Sequence, residues 1–149
     1  NEFRFNTPQI RLAEVYLIYA EAVYQSTNSP NASSSNYGMT ALDAINVVRA
    51  RAGHALVANL SNYNNDFQEL VRYERDIELC FEGHRWYDMR RWKIKPDPIL
   101  YRMTFDQDYT FFNREEIQPY IFTDRNYWMP LPRDLTFAYE GFPQNPGWQ

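Results

Sequence analysis

Paired acidic residues are the first candidates for chemistry in this 149-residue chain. The pairs are Glu14 with Glu21, Glu74 with Glu78, and Glu115 with Glu116. Glycoside hydrolysis needs two carboxyl groups that face each other across a cleft, one of them with a raised pKa. Residues four or seven apart on a helix share one face instead, and neighbouring arginines would lower the pKa of such carboxyl groups. The sequence therefore favours a structural role for the acids, and we predict that the protein is not an enzyme.

Histidine, cysteine and glycine give little support for a metal or cofactor site. His54 and His84 are the only histidines, and they show neither HxxxH spacing nor Cys/His metal-ligand spacing. Each follows a glycine expected to end a helix, where an imidazole interacts well with the terminal carbonyls. With only five glycines, the chain shows no phosphate-binding loop. We expect no metal and no cofactor, and we interpret Cys80 as an inert, partly buried thiol.

A stretch from residue 66 to residue 93 organises the rest of the sequence. Asp66 is a typical N-cap for a helix that Gly83 would end. The apolar face of this helix is predicted to contain Phe67, Leu70, Val71, Ile77 and Phe81. Glu74 and Glu78 fall on the same face, so the pattern predicts two carboxylates where a core should be.

Buried carboxylates require partners, because an ionised acid taken out of water costs several kcal/mol unless it is paired. Arg49 lies on the apolar face of a neighbouring predicted helix, between Leu42 and Ile45 in angle. Arg11, Glu14 and Glu21 form a charged stripe on the first helix, which is either a strip of solvent-facing residues or a seam that faces arginines. We predict a buried charged network of Glu14, Glu21, Arg49, Glu74, Arg75, Glu78 and Arg85.

Three further helices are predicted around this stretch. The first runs from the N-cap Thr7, with Pro8 at its first position, to about Ser26, and a polar loop follows at residues 27–38. The second begins at Thr40 and ends at Gly53. The first two helices have the apolar and small-residue pattern of a tetratricopeptide hairpin. A short helix then covers residues 85–92.

The last third of the chain reads as strands and extended tail. Strands are predicted at Ile99–Phe105 and Tyr109–Asn113, with shorter ones at Tyr120–Phe122 and Tyr127–Met129 and a helical turn at Pro132–Phe137. The fold class is therefore mostly α, with tetratricopeptide-like hairpins followed by a small irregular β and coil segment. We expect one domain over residues 1–149, helical over 1–95 and composed of short strands and tail over 96–149.

Composition narrows the possible partners. A net charge of −4 and a pI of about 5.2 argue against a nucleic-acid partner, and no apolar run is long enough to span a membrane.

Aromatic residues make up 17% of the chain, so many rings must lie at a surface or in a secondary core. The rings in question are Tyr101, Tyr109, Phe111, Phe112, Tyr120, Tyr127 and Trp128. They would form either a sugar-stacking platform or a satellite core under the tail.

Several motifs carry a family resemblance. The sequence has ER at 74–75, EL at 78–79, FEGHRWYDMRRW at 81–92 and QNPG at 144–147. Together they resemble the signature of SusD/RagB proteins, which are nutrient-binding lipoproteins of the outer membrane in certain Gram-negative bacteria. The RxxExxLxxAEA pattern at 11–22 is similar to another element of that family. The resemblance implies that this chain is the C-terminal part of a longer, SusD-like protein.

The resemblance also implies a function. A protein of this family would bind a glycan or oligosaccharide at the cell surface and deliver it to a SusC-like TonB-dependent transporter. Its contact with the outer membrane would come only through a lipid anchor outside this chain. No sugar-contacting residue is transferred from the family, so the ligand-binding residues stay unknown. The alternative is a tetratricopeptide-type adaptor that binds a peptide or protein in its helical groove.

Overall fold

The protein is described here by a computed structural model that covers residues 9–119, 121–134 and 141–148. The helices in these residues are α1 (Leu12–Thr27), α2 (Ala41–Arg51), α3 (Phe67–Glu78) and α4 (His84–Arg91). The strands are β1 (Ser33–Ser34), β2 (Tyr37–Thr40), β3 (Ile99–Phe105) and β4 (Phe112–Pro119). Two 3-10 turns lie at Ser61–Tyr63 and Asp124–Tyr127. The predicted fold class, mostly helical with a small strand segment, is confirmed.

The chain divides into two compact units, Asn1–His84 and Arg85–Gln149. The boundary falls at the first residue of α4, whereas the change from helix to strand comes later, between Arg91 and Ile99. A single domain over residues 1–149, with its division near residue 95, stays a prediction.

The core of the first unit lies where α1 packs against both α2 and α3. Leu17, Ile45 and Leu70 are fully buried there. Ala20 and Ala44 are also fully buried, and their small side chains let the helix backbones approach closely. The first three helices thus share one continuous apolar core.

Local capping rules account for two helix starts and fail for a third. Thr40 and Asp43 form the predicted capping box of α2, and the Asp66 carboxylate accepts a hydrogen bond from the Gln68 amide at the start of α3. Thr7 and Pro8, predicted to start the first helix, lie outside the described residues. Helix α1 itself begins at Leu12, after Arg11, which makes no side-chain capping bond. The prediction of an earlier start is therefore wrong.

Helix α3 ends earlier than predicted. It stops at Glu78 instead of reaching Gly83, and Phe81 adopts a left-handed φ of 64°. Once the chain leaves helical geometry, the periodicity no longer decides which side chains are buried. Phe81, beyond the end of the helix, is fully exposed, and Cys80 is exposed instead of partly buried. Ile77 lies inside α3 but is also 51% exposed, so its predicted place on the buried face is wrong.

The predicted polar loop at 27–38 contains a small antiparallel ladder of β1 and β2. The Tyr19 hydroxyl holds it, because it donates to the Met39 carbonyl at 2.5 Å and accepts from the Ser34 amide at 3.2 Å. The interpretation of this segment as loop alone was incomplete, since a tyrosine on α1 supplies the bonds that order it.

In the second unit, β3 and β4 pair as an antiparallel hairpin. Strand β3 has the predicted bounds, but the second strand is Phe112–Pro119 and not Tyr109–Asn113. Tyr109 has a left-handed φ of 55°, and the Asp106 carboxylate accepts from the Thr110 and Phe111 amides. These bonds make the region a turn.

The remaining predictions for the tail give mixed results. Tyr127 ends a 3-10 turn, so the strand predicted at Tyr127–Met129 is wrong. Tyr120 and residues 135–140 lie outside the described residues, and with them part of the strand predicted at Tyr120–Phe122 and of the helical turn predicted at Pro132–Phe137.

Candidate functional site: the charged network of the helical unit

A buried ion pair of the helical unit joins Arg49 of α2 to Glu74 of α3. Nη1 of Arg49 donates to the Glu74 carboxylate, and Nε donates to the Ala55 carbonyl at 2.7 Å. The two side chains are only 15% and 7% exposed. Nη1 also lies 3.5 Å from the Tyr63 hydroxyl. One guanidinium therefore fastens α2 to α3 and to the connection between them.

Burial decides the ionisation of this pair. Desolvation raises the pKa of Glu74 above its ordinary value, although the hydrogen bond from Arg49 acts to lower it. The expectation that arginine would lower the pKa of Glu74 is therefore wrong, because loss of water outweighs the attraction. Desolvation acts to lower the pKa of Arg49, but the bond to Glu74 reverses that effect and the pKa is raised. Arg49 stays charged.

A second cluster surrounds Glu78 at the end of α3. Nη1 of Arg11 donates to Oε1 of Glu78 at 2.8 Å, and Nη2 of Arg51 lies 2.8 Å from each carboxylate oxygen. Arg11 also donates to the carboxylate of Glu82, at 2.9 Å from Nε and 2.6 Å from Nη2. That hydrogen bond holds the pKa of Glu82 below its ordinary value. Arg11 thus ties the start of α1 to the end of α3.

The other predicted network residues lie in different surroundings. Glu14 places Oε1 3.6 Å from Nδ1 of His84. Glu21 and Arg75 are both buried, and neither is without a partner. Arg85 is exposed at the start of the second unit. Of the seven predicted network residues, Arg49 and Glu74 form an ion pair with each other. The assignment of all seven residues to one structural network stays a prediction.

Sequence reasoning missed two members of the Glu78 cluster. Arg11 carried a usable signal, because it begins the charged stripe that continues through Glu14 on the same helix. Glu82 carried none, since it follows the end of α3 and no helical spacing relates it to Arg11. Its partner is set by packing across 71 positions of sequence.

The arrangement offers little for catalysis. Glu74 and Glu78 each bind a guanidinium, whereas a glycosidase pair must face substrate and water across a cleft. On β4, Glu115 pairs with Arg102 at 3.0 Å.

Among the residues that the structure describes, no group of three or more His, Cys, Asp or Glu side chains is placed to hold a metal ion. In the same residues, no helix has the length and apolar character needed to cross a membrane.

Aromatic rings of the second unit remain accessible. Tyr109, Phe111 and Phe112 are 81%, 66% and 56% exposed, although the Phe105 ring contacts both Tyr109 and Phe112. These rings are therefore not enclosed in a satellite core.

On α4, the Arg90 guanidinium lies 3.3 Å from the centre of the Trp86 ring. This contact is a cation–π stack within α4.

The helical unit thus combines a continuous apolar core with a buried carboxylate, Glu74, that is paired with Arg49. A model of the SusD family matches residues 4–148. The chain belongs to the SusD family, which confirms the resemblance seen in its motifs.

Known relatives agree with this assignment. The chain is 33% identical over 146 residues to a protein named SusD-like protein P2 of Formosa agariphila, a match that covers 93% of this chain and 25% of the relative. A crystal structure of a SusD-like protein from Bacteroides fragilis shares its fold with a TM-score of 0.75 at 33% identity, again over 93% of this chain and 25% of the other. The chain thus spans about a quarter of the length of these relatives.

Proposed function

We propose that this chain forms part of a cell-surface protein that binds a glycan nutrient and delivers it to a SusC-like TonB-dependent transporter of the outer membrane. The observation that carries the proposal is the family match over residues 4–148. A lipid anchor outside this chain would hold the protein at the membrane surface.

Binding without chemistry is part of the proposal. It is supported by the environment of the paired acids, because a carboxylate held by a guanidinium is poorly placed to donate a proton to a glycosidic oxygen. Glu74 lies 6% exposed against Arg49, and Glu78 lies between Arg11 and Arg51. These contacts join α2 to α3 and the start of α1 to the end of α3.

Affinity electrophoresis of the protein, at the full length that its gene encodes, tests glycan binding directly. Gels that contain amylopectin, xylan, galactan or polygalacturonate should retard the protein in at least one case. Reducing-end release from the same polysaccharides should stay at the level of a protein-free blank. Retardation in none of the gels would contradict the binding function, and released reducing ends would contradict the absence of chemistry.

Transporter association needs a separate experiment. The protein, affinity-tagged in its native host, should co-purify with a TonB-dependent transporter from detergent-solubilised outer membrane. Recovery without any such transporter, under conditions that keep other outer-membrane complexes intact, would contradict the delivery step.

A tetratricopeptide-type adaptor is the second candidate, and one observation favours it. Helix α1 carries a partly exposed apolar strip of Leu12, Val15 and Ile18, which are 67%, 48% and 51% exposed. Such a strip resembles the groove surface on which helical-repeat adaptors bind peptides. Binding to a peptide array combined with no retardation by glycans would favour the adaptor over the glycan-binding protein.

A further inference from the structure

The connection between α2 and α3 lines an open cavity next to the charged network. Its volume is about 220 Å³, and its walls include Arg49, Leu56, Asn59, Asn62 and Tyr63. The cavity lies wholly in the helical unit. It is open to solvent on one side, because Leu56 is 61% exposed and Asn62 is also exposed.

The walls of the cavity are fixed by side chains. The Asn46 side chain accepts from the Val57 amide at 2.8 Å and donates to the Val57 carbonyl at 3.1 Å. It therefore satisfies both backbone groups of Val57 and fixes this part of the connection between α2 and α3. Oδ1 of Asn59 accepts from both the amide and the hydroxyl of Ser61. The cavity is therefore preorganised, which reduces the entropy cost of binding a ligand.

Hydrogen-bonding groups at the cavity remain available. Within the described residues, Nη2 of Arg49, Nδ2 of Asn59 and the side-chain amide of Asn62 form no hydrogen bond with protein. Among the described residues, the Tyr63 hydroxyl has a single hydrogen-bond contact, the 3.5 Å one with Nη1 of Arg49. Guanidinium and amide N–H groups donate, so the lining is rich in donors and suits a ligand with many oxygen acceptors.

We propose that this cavity is a subsite for a single sugar residue of the bound glycan. A sugar ring carries several hydroxyl oxygens, which can accept from Arg49, Asn59 and Asn62 and can also donate to the amide oxygen of Asn62. Because Glu74 balances the charge of Arg49, the site accepts a neutral ring without leaving an unpaired charge. The inference rests on the proposed glycan-binding function and assigns part of that binding to this cavity.

Two variants test the subsite while leaving the core intact. Asn62→Ala removes an exposed amide with no protein partner in the described structure, and Tyr63→Phe removes one hydroxyl but keeps the ring. Each should weaken binding of the polysaccharide that retards the wild type by about five- to tenfold, as expected for a lost ligand hydrogen bond. Isothermal titration at the encoded full length measures the affinity, and a thermal melt verifies that each variant is folded.

Asn36→Ala is the matched control, because it removes an exposed asparagine amide from a turn outside the cavity. Its affinity should equal that of the wild type. Wild-type affinity in folded Asn62→Ala and Tyr63→Phe would overturn the subsite and leave the glycan-binding function standing. No binding of any of the four polysaccharides to the wild type would overturn both.

Discussion

Replacement of Arg49 by alanine is the most informative perturbation of the helical unit. Arg49 donates to the Glu74 carboxylate and to the Ala55 carbonyl, and its removal leaves a carboxylate in a site where it is 7% exposed. Breaking a buried ion pair by removing one partner typically costs roughly 3–5 kcal/mol, since the remaining charge is uncompensated. We therefore expect the free energy of unfolding to fall by about that amount.

Urea denaturation followed by far-UV circular dichroism measures this change. For a chain of this size the loss corresponds to a decrease in Tm of roughly 10 °C. Adding Glu74→Ala to Arg49→Ala should recover part of the stability, because it removes the stranded charge. A double-mutant cycle should give a coupling energy of about 1–3 kcal/mol between the two side chains.

Arg51→Ala is the control for the removal of an arginine from the same helix. Arg51 also pairs with a glutamate of α3, Glu78, but its side chain is 62% exposed, and Glu78 keeps Arg11 as a partner. An exposed pair contributes about 0–1 kcal/mol. Equal losses in Arg49→Ala and Arg51→Ala, or a loss below about 1 kcal/mol in the former, would refute the reasoning that burial makes the first pair important.

Three further predictions follow from single contacts. Asn46→Ala should destabilise the helical unit by about 1–3 kcal/mol, because it leaves both backbone groups of Val57 unpaired, and hydrogen exchange at the Val57 amide should accelerate. Gly147→Ala should destabilise the second unit by about 2–4 kcal/mol, because the φ of Gly147 is +81° and an added Cβ would lie 2.7 Å from the Cβ of Arg125. Tryptophan fluorescence on heating measures this loss. Arg11 lowers the pKa of Glu82 in the folded protein. The contact therefore stabilises the fold fully at pH values above the ordinary pKa of Glu82, and this stabilisation is lost as the pH falls through the lower folded-state pKa. The stability difference between wild type and Glu82→Gln should therefore shrink on acidification from about pH 6 to about pH 3, and a constant difference would contradict the assignment.

Elements governed by neighbouring residues could be predicted from the sequence. Thr40 with Asp43 forms a capping box whose partners are three residues apart, and β3 has the bounds expected from its composition. The end of α3 could not be predicted in this way. Gly83 does adopt a positive φ, but the helix stops earlier and Phe81 is left-handed as well, a conformation that an aromatic residue does not favour.

Partners distant in sequence were the less predictable part of the site. Periodicity placed Glu74 and Glu78 on a buried face of α3 and required cations opposite them. It did not determine which arginine each would bind, because Arg49 and Arg51 lie on the same helix and Arg11 approaches from a different one. That choice depends on how three helices pack, and the pattern within one helix does not contain this information.

Isothermal titration of the full-length protein with the polysaccharide panel tests the central claim most directly, since it records both binding and turnover. The account predicts a saturable isotherm with at least one glycan, after which the heat flow returns to the baseline. A flat trace with every glycan, or heat that continues after each injection as bonds are hydrolysed, would contradict the account.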